Sequence, residues 1–177
     1  TLTEREVPRF LRVTGQLIGR NDAVIAADAV GKVVEAPVER GSVVAAGDAL
    51  VKLDERQAKL ALAEAEASLE MAKARLLLAK NEQERNAPLA QKRAIAEADF
   101  QRLVTDTTAR EAELAASLAR RDMTQKTLTD SVIRAPFAGV VAERMVEPGE
   151  YVKADSPVAR VVDLATLRLV LNVPETE

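Results

Sequence analysis

Hydrophobic and polar positions follow two different periods along this chain. From residue 55 to residue 130 the period is that of a helix. Ala58, Leu62, Ala65, Leu69, Ala72, Leu76, Ala79 and Gln83 are spaced alternately by four and three, so they fall on one narrow stripe. The other faces are rich in Glu, Lys and Arg, and the segment holds no Gly and a single Pro, Pro88. On both sides the pattern changes to short Val-rich runs. Residues 23–54 are punctuated by Gly31, Gly41 and Gly47, and residues 132–164 by Gly139, Pro148 and Gly149, the pattern of strands and tight turns. Residues 7–18 predict a strand preceded by Pro8. Residues 167–173 predict another, stopped by Pro174. With nothing after it to pair with, that last strand predicts a further β domain.

The two β segments repeat each other. Residues 31–54 align with residues 139–162 without a gap, at an offset of 108. Gly31, Val33, Glu35, Val38, Glu39, Gly41, Val44 and Ala46 recur as Gly139, Val141, Glu143, Val146, Glu147, Gly149, Val152 and Ala154. Two half-motifs split by a helical insertion predict an α+β chain, a β-sandwich from which the helices project.

Within the insertion, Asp54 and Gln57 predict the aspartate form of a capping box. Leu at one seam position (Leu62, Leu69, Leu76) and Ala at the other (Ala65, Ala72) let two antiparallel helices approach closely. A single amphipathic helix on a globular core is the alternative, and the narrowness of the stripe argues against it. Both helix bases must return to one β domain near Asp54 and Ser131, so the arms should be nearly equal, about 57 Å each at 1.5 Å per residue. That places the tip at residues 93–96 and makes Pro88 a kink near it, rather than a turn at Asn86-Ala87-Pro88. Lys92 and Arg93 then end one helix while Glu97 and Asp99 begin the next, both favourable for the helix dipoles. The returning helix offers a less regular seam from Phe100, Leu103, Leu114, Leu118 and Leu128. Val104–Thr108 are weak helix formers and a candidate flexible point.

Composition removes most chemistry. Aromatics are 2% with no Trp, so no aromatic-centred core is expected. The net charge of −3 gives no general attraction to nucleic acid. There is no Cys and no His, hence no disulfide, no thiolate and neither of the commonest soft or neutral metal ligands. Met71, Met123 and Met145 are scattered. The acidic pairs Glu64/Glu66 and Glu82/Glu84 are two apart and point to different sides of a helix. No catalytic, cofactor or metal site is expected. No apolar run approaches the ~20 residues that span a bilayer. The chain starts at Thr1 without Met, which points to processing or to a piece of a longer protein.

A duplicated half-motif with Val-x-x-Gly and Glu-Pro-Gly turns, split by a helical hairpin, resembles the periplasmic adaptor (membrane fusion, HlyD-like) proteins of Gram-negative tripartite efflux pumps. Ile133-Arg134-Ala135-Pro136-Phe137-Ala138-Gly139-Val140-Val141 resembles that family's return into its lipoyl-like domain. Val7-Pro8…Val13-Thr14-Gly15 resembles its lead-in strand, and Leu164-Ala165-Thr166-Leu167…Val173-Pro174-Glu175 the start of its β-barrel domain. The resemblance implies five parts. Residues 1–22 lead in from the β-barrel or membrane-proximal region, 23–54 and 131–164 are the lipoyl-like halves, 55–130 is the hairpin, and 165–177 begin an incomplete β-barrel.

The family's hairpin tip carries Arg-x₃-Leu-x₆-Ser, implicated in docking to a TolC-like outer-membrane channel. Arg85 and Leu89 fit the first two positions, and Ala96 stands where Ser is usual. The implied role is non-enzymatic. The adaptor would be held at the inner membrane by a segment outside this chain, would assemble as a ring, and would link a transporter to the channel for small-molecule export. Hairpin length and the lead-in strand favour an RND transporter; an ABC exporter or type I secretion partner is the alternative. A lipoyl or biotinyl carrier would need its lysine in a β-turn between the halves. The hairpin occupies that place, and Lys73 of Met71-Ala72-Lys73 is mid-helix.

Overall fold

The structure, a computed structural model, describes residues 14–171. Among them the order is β1 (Gly15–Gly19), β2 (Asp22–Ala26), β3 (Gly31–Glu35), β4 (Val43–Val44), β5 (Ala49–Leu53), α1 (Arg56–Gln91), α2 (Glu97–Asp130), β6 (Val132–Arg134), β7 (Gly139–Arg144), β8 (Tyr151–Val152), β9 (Pro157–Val162) and β10 (Leu167–Leu171). Two four-stranded antiparallel sheets, ordered β2-β9-β7-β4 and β6-β5-β3-β8, form a sandwich. The expected α+β class, a sandwich of two half-motifs interrupted by a hairpin, is the observed one.

The halves are interlocked. Within each half two long strands pair, β3 with β5 and β7 with β9, while the edge strands β2 and β6 pair across the halves, with β9 and β5. Each two-residue strand crosses over, β4 onto β7 and β8 onto β3. The interlock repeats bond for bond at the offset of 108. Gly41 N–H donates to Val141 O at 2.8 Å, and Gly149 N–H to Val33 O at 2.8 Å. Ala27 N–H donates to Ser156 O at 2.9 Å, and Ala135 N–H to Asp48 O at 2.9 Å. Gly41 and Gly149 hold φ of 91° and 95°, where L side chains are strained, so both turns need glycine. At the other equivalent turn Gly47 has φ 90°, but its counterpart is Asp155 at φ 64°, a residue type that tolerates this region.

The symmetry reaches further back than residue 31. Asp22, Val24, Ile25 and Ala27 are matched by Asp130, Val132, Ile133 and Ala135, so β2 and β6 are equivalent strands on the edges of the two sheets. Leu50, Val51, Val141, Val158 and Val161 have no exposed surface. The continuous core they belong to includes no residue of either helix. Sandwich and hairpin therefore keep separate apolar interiors.

Of the strand expected over residues 7–18, Gly15–Gly19 is observed; Val7, Pro8 and Val13 lie outside the described residues. The strand expected over 167–173 spans Leu167–Leu171, and it has a partner after all. It pairs antiparallel with β1, from Gly15–Leu171 to Gly19–Leu167. Sequence proximity hid this, because the partner lies some 150 residues upstream.

Candidate functional site: the hairpin and its tip

The hairpin grows directly out of the sandwich. Leu53 N–H donates to Ser131 O at 2.8 Å, and Lys52 is in register with Val132, so the two helix bases are adjacent. The expected capping box is not formed. Helix α1 starts at Arg56, one residue later than that pattern requires, and its N-cap residue, Glu55, makes no side-chain cap bond. Asp54 instead accepts the Arg56 backbone N–H at 3.1 Å and grips the Arg56 guanidinium, with Nη2–Oδ2 at 2.6 Å. That guanidinium, first of all, and then the backbone bond hold the Asp54 carboxyl down at about 2.

On α1 the stripe read from the sequence is the packed face. Ala65, Leu69, Ala72, Leu76 and Ala79 are buried and Leu62 is half-buried. On α2 Val104, Glu113 and Asp130 are half-buried at the margin, and the covered positions Phe100, Leu103, Thr107, Arg110, Leu114, Ser117, Arg121, Thr124 and Leu128 form a stripe. The spacing of that stripe alternates three and four without a break, so the seam is regular in geometry and irregular only in composition. Leu118, expected on it, is 41% exposed. Thr107 is buried because its hydroxyl is satisfied by its own helix, donating to Leu103 O at 3.0 Å. The stretch Val104–Thr108, read as a flexible point, lies within unbroken α-helix. Glu113 accepts from Arg75 of the facing helix at 2.6 Å and from Arg110 at 3.0 Å, and these guanidinium bonds, Arg110's first, lower its pKa. Lys80–Glu111 at 2.9 Å and Glu64–Arg120 at 3.7 Å add two more cross-helix pairs.

At 1.5 Å per residue, α1 carries the tip about 54 Å from its base. The helix contains Pro88 and ends at Gln91 in a Schellman motif. Ala94 N–H returns to Leu89 O at 2.8 Å and Arg93 N–H to Ala90 O at 2.9 Å. The residue this motif places in left-handed conformation is Arg93, φ 57°. No sequence signal marks it, since glycine is the residue expected there. Ala96 is the N-cap of α2, with φ −66° and ψ 138° and no side-chain bond to the helix. Glu97 and Asp99 occupy the first turn of α2. Arg85 and Leu89 lie one turn apart within the last two turns of α1, both on its exposed side. Leu89 is 40% exposed.

The tip holds no acid–base pair, and among the described residues no group of three acidic side chains could hold a metal. Nor, among them, is any helix long and apolar enough to cross a membrane. What the arrangement offers is a narrow end surface held far from a β platform.

Residues 21–163 match the family described as CzcB-like, barrel-sandwich hybrid domain. The chain is 27% identical to the multidrug resistance protein MdtA of Yersinia enterocolitica, over 100% of this chain and 40% of that protein. It therefore spans less than half the length of that relative. MacA from Actinobacillus actinomycetemcomitans superposes with a TM-score of 0.75 at 20% identity, covering 89% of this chain and 54% of that one. The periplasmic adaptor protein EmrA superposes with a TM-score of 0.52 at 19% identity, covering 89% and 77%. A sandwich of two interlocked halves, a hairpin between them and the match over residues 21–163 agree: the chain belongs to the CzcB-like, barrel-sandwich hybrid domain family.

Proposed function

We propose that this chain is the central part of a non-enzymatic periplasmic adaptor that joins an inner-membrane transporter of the RND type to a TolC-like outer-membrane channel and serves small-molecule export. The observation that carries the proposal is the tip. Arg85 and Leu89 are displayed on one side of the last two turns of a ~54 Å arm, and Arg85 has no ion-pair partner among the described residues. A residue so placed has little to do for the sandwich. The likeness to MdtA, whose name is that of a multidrug resistance protein, agrees with drug-like cargo.

Two further surfaces fit. Leu60, Met71, Leu77 and Leu78 are 73%, 50%, 61% and 59% exposed on α1, apolar area suited to lateral contacts between copies in a ring. Leu17, Leu167 and Leu169 are 64%, 50% and 56% exposed on the ribbon of β1 and β10, as expected of strands that continue into a β-barrel domain.

The test is Arg85→Glu in the full-length protein, assayed by dye export from cells. Protein level should be unchanged and export lost. Ala96→Ser supplies the missing N-cap oxygen, should stabilise the hairpin by about 1 kcal/mol, and should leave export intact or improved. Full export by Arg85→Glu would refute the docking role. Export that survives loss of an RND transporter and disappears with loss of an ABC transporter would reassign the partner.

A further inference from the structure

The hairpin carries thirteen Lys and Arg residues between Arg56 and Lys126. Ten of them, Arg56, Lys59, Lys73, Arg75, Lys80, Arg102, Arg110, Arg120, Arg121 and Lys126, have a carboxylate within 4.0 Å. The three without one, among the described residues, are Arg85, Lys92 and Arg93, and all three are exposed at the tip. Residues 85–96 contain those three cations and no Asp or Glu, in a chain whose net charge is −3. The nearest carboxylates are on the flanks. Asp99 is taken by Arg102 at 3.0 Å, and Glu84 and Glu97 pair with none of the three.

One of the cations is held against local preference. Arg93 occupies the left-handed position of the Schellman motif at φ 57°. A side chain there is strained where glycine is not. The only other non-glycine residue at positive φ among the described residues is Asp155, of a type that tolerates it. Strain held at an exposed end, by a residue with no ion-pair partner among the described residues, points outward.

We infer that Arg93, with Lys92 and Arg85, forms a cationic apex that docks onto carboxylates of a protein partner. This rests on the docking reading above and gives that partner its chemistry: an acidic rim at the receiving end of the channel. An anionic membrane fits less well. Three cations fall short of the cluster of roughly four to eight that lipid headgroups require. The tip also has little to insert, since Ile95 is half-buried and Leu89 is the one large apolar side chain exposed there.

The experiment uses the full-length protein and the detergent-solubilised outer-membrane channel of the same cell, at about 0.05 and about 0.3 M salt, where screening differs strongly. Wild-type binding should weaken at the higher salt. Arg93→Gly should raise the melting temperature of the hairpin by a few degrees, yet weaken low-salt binding about fivefold or more and flatten its salt dependence. Arg93→Lys, which keeps the charge, should bind within about twofold of wild type. A zero-length carbodiimide, which joins amines to carboxylates, should link Lys92 to an Asp or Glu of the channel, and Lys92→Arg should abolish the link. Wild-type affinity in Arg93→Gly, salt-independent binding, or no Lys92 crosslink would overturn the inference. So would retained channel binding by Arg93→Gly together with loss of binding to phosphatidylglycerol vesicles, which would reassign the apex to lipid. If Arg85→Glu abolishes channel binding while Arg93→Gly does not, the acidic-rim inference falls and the docking reading stands. If Arg85→Glu binds normally, both fall.

Discussion

Replacing Leu69 by Ala asks whether the hairpin is held by its seam and whether it is a cooperative unit separate from the sandwich. Leu69 is 5% exposed, flanked along the stripe by the buried Ala65 and Ala72. The change removes three carbons from a covered site, about 2.4 kcal/mol at ~0.8 kcal/mol each. A rigid core would add a cavity term, but this seam is one layer thick and the helices can close toward one another. The expected loss is therefore about 2–3 kcal/mol, the low end of the range for buried Leu→Ala. The control is Leu77→Ala, at a position 61% exposed, where little should change because Ala is at least as good a helix former. Hydrogen exchange separates the two. Amides of the seam between Ala65 and Leu76 should lose about fiftyfold of their protection in Leu69→Ala, since ~1.4 kcal/mol is tenfold. Amides of β5, β7 and β9 should be unaffected, because the sandwich core contains no helical residue. Equal behaviour of Leu69→Ala and Leu77→Ala would show that the seam is not the source of hairpin stability. A matching loss of protection in the sandwich would show that hairpin and sandwich unfold as one.

Replacing residues 55–130 by a short Gly/Asn turn should leave a folded all-β protein, since Leu53 N–H and Ser131 O are 2.8 Å apart; an aggregated product without dispersed amide resonances would contradict this. The equivalent glycines of the two halves should differ sharply. A Cβ at Gly139 would stand 2.5 Å from the Val162 carbonyl oxygen, and backbone must move, whereas one at Gly31 meets the Leu53 side chain no closer than 3.4 Å. Gly139→Ala should therefore lower the melting temperature of the sandwich by many degrees and Gly31→Ala hardly at all, measured by thermal denaturation. Asp54, depressed to about 2 by Arg56, makes the hairpin base acid-sensitive in a defined window. Its stabilising effect is complete above the unfolded carboxyl value of about 4 and is lost as pH falls through about 2, so Asp54→Asn should flatten the loss of helicity between those limits.

The repeat, the hairpin and the tip position were legible in the sequence because each rests on a rule local to the chain. Gly41 and Gly149 match because both turns require positive φ. The tip follows from equal arms. The cross-pairing of β4 with β7 and β8 with β3 was not legible, since a period of two says which face a residue takes and not which strand lies beside it. The seam of α2 was not legible, for a chemical reason. Apolar spacing marks only part of it, because in a shallow two-helix interface a threonine can be buried once its hydroxyl bonds to its own helix, as Thr107 does. Asp54 lies one residue outside the N-cap position its type and spacing predict, because its carboxylate serves Arg56 on both backbone and side chain instead of a later turn. Arg93 broke the glycine rule for helix ends and so left no mark at all.

The interlocking of the halves has a consequence for how the chain is made. During synthesis residues 31–54 emerge first, with Val33 and Val44 destined for strands that pair with a half not yet translated. They must wait through the 76 residues from 55 to 130, then through most of the second copy. Were that stretch a flexible loop, holding its ends together would cost roughly 4 kcal/mol in chain entropy, from (3/2)RT ln n. Folded as two helices that zip from their own turn, using contacts local to the hairpin, it delivers Ser131 beside Leu53 with that search already done. The hairpin that reaches outward in the finished molecule is thus also the brace that sets the order of folding, and damage at its tip would be felt first in newborn chains as a delay in closing the sandwich.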